Sequence, residues 1–184
     1  MSDTLIPDVH LGAITAHILG SRPLDPDNLI AEMTGLRKSL SLHWLQQLPA
    51  DSREKILALS INSILRLTEH DTSTVRVAAY NVIGSFIVFV VPFAPKEFVS
   101  AFLMGTKSIP ASLHASAVII SMFAALLRFI SPSIVEEIAD QSSILHYLDT
   151  DITELLKILP AIIPEMHSLP LEFHQNILRS LCIS

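Results

Sequence analysis

Two long stretches of this chain carry no charge. From Val77 to Pro95 there is no Asp, Glu, Lys or Arg, and the same holds from Ser108 to Leu127. Each approaches the roughly 20 apolar residues that cross a bilayer. The chain therefore folds with these stretches buried in protein or placed in lipid, where the pair would form a hairpin with Lys96 and Lys107 in its loop. Their make-up favours protein. The first holds Asn81, Gly84, Ser85 and the helix-breaking Pro92, and the second opens on Ser108, Pro110, Ser112 and His114, which leaves only Ala115–Leu127 densely apolar. No belt of Trp and Tyr flanks either stretch. A helix that is apolar all round also suits the centre of a layered helical protein.

Composition narrows the classes further. Half of the 184 residues are hydrophobic, 12 Lys+Arg face 18 Asp+Glu, and the formal net charge is −6. Such a chain buries a sizeable core and is not disordered. Its acidic balance argues against a nucleic-acid surface. The single cysteine, Cys182, excludes an intrachain disulfide framework and a Cys-cluster metal site, and fits a reducing compartment. The opening Met1–Asp8 is acidic and lacks the basic region of a secretory signal. The expected setting is the cytoplasm, with membrane association as the alternative.

Apolar spacing is helical throughout, and prolines and cap residues divide it into segments joined by two to six residues. The first runs Asp8–Leu19 and closes at Gly20. The second opens at Asp25-Pro26 and extends to Leu48, with breaks expected near Gly35 and Ser41. The third opens on Asp51-Ser-Arg-Glu54, read as a capping box. Its stripe Leu57, Ile61, Ile64, Leu65 has i, i+4, i+7, i+8 spacing. Further segments are Thr72–Val91, Pro95–Gly105, Pro110–Ile130, one from Ser131-Pro132 through Leu148, one from the capping box Asp151–Glu154 to Pro160–Pro164, and one from Pro170 onward. Short connections make successive helices antiparallel. The last residues, Leu181-Cys-Ile-Ser184, form an apolar end with no polar cap, which suggests the terminal fragment of a longer array or an edge covered by a partner.

Laying Thr74–Val82 over Ser112–Ile120 aligns Val75 with Leu113, Ala79 with Ala117 and Val82 with Ile120, an offset of 38 residues. The stretch Asp71-Thr-Ser-Thr-Val75-Arg76-Val-Ala-Ala79-Tyr-Asn-Val82-Ile83-Gly84 resembles the start of the second helix of a HEAT repeat. A period near 40 residues with two helices per period belongs to HEAT and armadillo-type arrays. The resemblance implies an all-α fold of antiparallel helix pairs stacked as a short α-solenoid, with residues 1–184 as one helical-repeat domain. It implies roles for four residues: Asp71 as an acceptor in the inter-helix turn, Val75 and Ala79 as packing positions, and Arg76 as part of a polar ladder between repeats. Ala78 and Ala79 are expected to bring the helix close to the preceding one. At the 38-residue offset His114 replaces the Arg and Ile109 or a neighbour the acid, so the ladder is expected to stop there. The stack is therefore expected to be irregular.

No catalytic constellation emerges. The eight histidines lack a metal-ligand spacing, although His10 and His17, and His167 and His174, are seven apart, a spacing that would place each pair on one face of a helix. Cys182 lies in an apolar context that raises a thiol pKa and makes it inert. Glu136, Glu137, Asp140, Asp149 and Asp151 do not follow an EF-hand pattern and read as a solvated face and caps. Arg37, Lys38, Arg53, Lys55 and Arg66 cluster loosely and suit an acidic protein partner. Trp44, Phe93, Phe98 and Phe102 are either interface anchors or core. The expected role is a non-enzymatic module or scaffold that binds other proteins, with no cofactor or metal, and with self-association through the apolar C-terminal edge as one mode. A tubulin-binding HEAT array would carry basic inter-helix turns, whereas Glu69, Asp71, Asp149 and Asp151 are acidic.

Overall fold

The computed structural model of the protein describes residues 6–107, 109, 112–126, 130–131, 133–134, 152–166 and 175. Among these residues the apolar periodicity becomes eight helices and no strand: α1 (Ile6–Ile18), α2 (Pro26–Ser39), α3 (Leu42–Gln47), α4 (Ala50–Leu67), α5 (Ser73–Val90), α6 (Pro95–Thr106), α7 (Leu113–Leu126) and α8 (Ile152–Glu165). The all-α class expected from the sequence is what these residues form.

Several boundaries follow the expected chemistry. Gly20 takes the left-handed conformation, φ 72°, and lets the Ser21 and Arg22 N–H groups fold back onto the Ala16 carbonyl, which ends α1. Asp25 caps α2 by accepting from the Asn28 N–H at 2.9 Å, with Pro26 in the first turn. This bond holds the Asp25 carboxyl below its ordinary range.

Other boundaries differ. Helix α2 runs through Gly35, and the break falls at Leu40–Ser41, where Ser41 caps α3 through the Trp44 N–H. Gly35 serves contact instead: a Cβ there would lie 2.3 Å from the His10 ring. Asp51 and Glu54 form no capping box. Pro49 is the N-cap of α4 without a side-chain bond, and Glu54 accepts from Ser100 of α6. Helix α8 ends at Glu165, beside Pro164 as expected, and holds Pro160 within it. Pro160 and Pro164 are exposed, and the carbonyls of Leu156 and Pro160 lose the N–H donor one turn ahead of them. Among the described residues the second uncharged stretch yields α7, of 14 residues. The segment through Leu148 beyond Ile134, the Asp151 cap, and the final segment with its apolar end lie outside the described residues.

Alternate helices lie side by side. Helix α1 touches α2 and α4, α2 touches α5, and α4 touches α5 and, most extensively, α6. Helix α8 lies against α7 and α5. One continuous core results, with Leu29, Met33 and Leu36 of α2, Leu57, Ile61 and Ile64 of α4, Phe86 of α5 and Phe98 and Phe102 of α6 almost wholly buried. Fully burying one such side chain contributes about 1.5–3 kcal/mol.

Candidate functional site

The motif Asp71–Gly84 forms the α4–α5 turn and the first part of α5. Val75 and Ala79 are fully buried, as packing positions should be, while Ala78 lines the gap toward α2. Asp71 does not act as the first-turn acceptor. Thr72 is the N-cap and makes no side-chain bond, and the Val75 and Arg76 N–H groups donate to the Thr72 carbonyl. The part of Asp71 that is used is its backbone carbonyl, which accepts from Arg76 Nη1 at 3.0 Å, beside the His70 carbonyl at 2.8 Å.

Arg76 joins distant parts of the chain. Its Nε donates to Glu165 Oε2 at 2.8 Å and its Nη2 to Glu165 Oε1 at 2.5 Å, a two-pronged geometry only a guanidinium offers a carboxylate. This pair ties the end of α8 to the start of α5. It also holds the Arg76 pKa above its ordinary value, through the Glu165 hydrogen bond first. The position one period on, where His114 stands in place of the Arg, also makes polar contacts. His114 Nδ1 donates to Glu69 Oε1 at 2.9 Å, and Ser112 Oγ donates to Glu69 Oε2 at 3.1 Å. The acid comes from the preceding α4–α5 turn rather than from Ile109 or its neighbours, so the start of α7 is linked to that turn. Spacing within one segment could not reveal this, because Glu69 and His114 are 45 residues apart. Tyr80 lies fully buried one turn beyond Arg76, and its hydroxyl has no partner among the described residues. Burial pushes its pKa well above the ordinary value.

The basic residues do not gather. Arg53 stacks over the Phe93 ring, 5.6 Å from its centroid, and donates to the Leu48 carbonyl. Arg66 donates to Asn62 on its own helix. Arg37 lines a groove, a cavity of about 200 Å³ between α2 and α5 bounded by Ile30, Thr34, Thr74, Val77 and Asn81. Arg37 and the neighbouring Lys38 are exposed. No Asp or Glu is among the residues that line this groove, and its walls mix apolar and hydrogen-bonding groups. Basic residues at the end of α2 were legible in the sequence; the α5 wall was not.

Trp44, Phe98 and Phe102 belong to the core, and the Trp44 indole donates to Asp8 at 3.3 Å. Phe93 is 41% exposed. His10 and His17 do not act together: His10 donates to Glu32 at 2.7 Å, while His17 Nδ1 accepts from the Leu24 N–H at 2.9 Å. Among the described residues, His, Cys, Asp and Glu side chains form no group of three suited to a metal ion. Cys182, His146, His167, His174, Glu136, Glu137, Asp140, Asp149 and Asp151 lie outside the described residues. Comparison of the chain with protein-family models, curated proteins and solved structures finds no match to any of them.

Proposed function

We propose that this protein is a non-enzymatic binding module, an irregular HEAT-like stack of helix pairs that takes an acidic segment of another protein into the α2–α5 groove. The side-by-side order of α1, α4 and α6 on one hand and α2 and α5 on the other supports the stacked reading. The single observation behind the binding role is the groove itself, where Arg37 stands among Thr34, Thr74 and Asn81 with no acid among the described lining residues. A carboxylate entering there meets a guanidinium and hydroxyl and amide donors, and Ile30 and Val77 receive an apolar side chain beside it.

A photo-crosslinking residue at Val77 tests this in cell extract. The expected product joins Val77 to a peptide bearing Asp or Glu, and Arg37→Glu reduces its yield about tenfold or more. A crosslink pattern indifferent to the reversal at Arg37 overturns the groove reading.

Membrane association is the second reading. Helix α5 is long and apolar enough to cross a bilayer, although half of it is buried in the protein. Val88, Phe89 and Phe93 are exposed at its end. Flotation with anionic vesicles, lost in a Phe89→Ser/Phe93→Ser variant, would favour it; a protein that stays in the aqueous fraction would not.

A further inference from the structure

Helix α1 carries an apolar stripe that stays exposed among the described residues. Val9 is 57% and Leu19 is 73% exposed, Gly12 is exposed and Ala16 half-buried. The Leu19 N–H still donates to the Thr15 carbonyl, so Leu19 continues the helical path. These four residues follow one another at intervals of three, four and three, the spacing of a helix–helix seam. A Cβ placed on Gly12 would meet nothing within 4 Å. Gly12, Ala16 and Leu19 of the stripe also line a largely apolar cavity of about 410 Å³, across which Ile56 and Leu59 of α4 stand, and Leu59 is 57% exposed.

The stripe is complementary to itself. If a second α1 crosses this one antiparallel about a two-fold axis at the level of Ile14, Val9 of each copy faces Leu19 of the other, and Gly12 faces Ala16. The small residues meet in the middle, where backbones come closest. The large ones meet at the ends, where each Leu19 reaches the Ile56–Leu59 wall of the other copy. Charge selects the same direction. Exposed Asp8 stands at the start of α1, and the Gly20 turn folds exposed Arg22 back onto its end. Antiparallel crossing brings Asp8 of one copy to Arg22 of the other, and parallel crossing brings like charges together. An interface of this kind is isologous, the same patch used twice.

We infer that the protein forms a two-fold dimer in which the α1 helices cross antiparallel and each Leu19 enters the other copy's α1–α4 gap. This surface uses α1 and α4, not the α2–α5 groove, and stands independently of the binding role proposed above. Light scattering on the full chain is expected to give twice the 20.2 kDa chain mass. Leu19→Glu is expected to weaken the dimer at least about tenfold while leaving the far-UV circular dichroism unchanged. A register test uses the Cys182→Ser background. Mixed Val9→Cys and Leu19→Cys chains form a disulfide-linked dimer, whereas Val9→Cys alone does not, since its two copies sit about 15 Å apart at 1.5 Å per residue. A monomeric wild type, a dimer indifferent to Leu19→Glu, or efficient crosslinking by Val9→Cys alone each overturns the inference.

Discussion

Helix α4 has two flanks that meet their neighbours in opposite ways. On one side it packs most extensively against α6, with Gly105 of α6 set against Asn62 and Leu65 in a buried contact. Gly105 makes the approach possible: a Cβ there would stand 3.2 Å from the Asn62 nitrogen and 3.3 Å from its Cα. On the other side α4 faces α1, where the two helices spread around a cavity and the missing Cβ of Gly12 has only open space before it. Both neighbours offer a glycine, yet one glycine closes a contact and the other leaves one open. Small residues thus do not by themselves define a tight interface. What decides is whether the opposing backbone comes to meet them, and on the α1 side it does not.

Gly105→Val tests the closed flank most severely. Two methyl groups would have to enter where one Cβ already presses on the Asn62 backbone, which moves less readily than a side chain. Overpacking of this kind destabilises by about 1–3 kcal/mol, and the upper end is expected here, read as a lowered midpoint of urea unfolding with an unchanged slope. A loss below about 0.5 kcal/mol, within the range of ordinary surface substitutions, would show that the flanks do not differ in the way described.

The contrast between filled and unfilled contacts extends to α5. Tyr80 is wholly enclosed, yet its hydroxyl meets no acceptor or donor among the described residues. Leaving such a group unpaired costs about 1–3 kcal/mol, so Tyr80→Phe is expected to stabilise by about 1 kcal/mol at neutral pH. The hydroxyl also gives a pH signature. Its folded pKa is raised above the ordinary 10.0, so above that pH the unfolded chain releases a proton that the folded chain retains. Stability from this source is complete below pH 10 and falls as the pH rises further. Tyr80→Phe should remove that part of the alkaline slope. An identical slope in both proteins would place the effect elsewhere.

Across the open flank, one side-chain hydrogen bond spans α1 and α4, Thr15 Oγ1 to Ser63 Oγ at 3.2 Å. Ser63 is buried. Thr15→Val keeps the shape and strands the serine hydroxyl, and a loss of about 1 kcal/mol is expected. Thr15→Val combined with Ser63→Ala should cost less than the two single changes together. Strict additivity would mean that the bond contributes nothing to holding this flank.

Much of the helical layout was legible because it rests on local rules. Pro26 and Asp25 open α2, Gly20 closes α1 and Pro95 opens α6, each through the backbone chemistry of its own residues. Local rules failed where a distant group competed. Asp51-Ser-Arg-Glu54 has the spelling of a capping box, but Glu54 is taken by Ser100 across the α4–α6 contact. Gly35 has the spelling of a break, but it makes room for the His10 ring. Arg76 sits at the start of α5 as the motif places it, while the acid it grips, Glu165, lies 89 residues away. No spacing rule connects those two. The α2–α5 groove was half legible for the same reason: Arg37 and Lys38 declare a basic helix end, and only packing brings Thr74 and Asn81 opposite them.

Gly12→Ala is the mildest change and the one that separates the two glycines most directly. Glycine inside a helix is less favourable than alanine by about 0.8–1 kcal/mol, because the unfolded chain has more conformations to lose. That gain appears only where the added methyl group meets no obstacle. At Gly12 it meets none within 4 Å, so a gain of about 0.7 kcal/mol is expected. The measurement belongs in the Leu19→Glu background, where a second copy of α1 would no longer press on the same spot. In the unaltered chain the inferred crossing sets Gly12 against Ala16 of the other copy, so the methyl group should weaken association even as it stabilises each fold. A gain in the monomer together with a loss in dimer affinity would mark this flank as open within one chain and closed by two, whereas destabilisation in the Leu19→Glu background would mean that α1 and α4 already fill the gap between them.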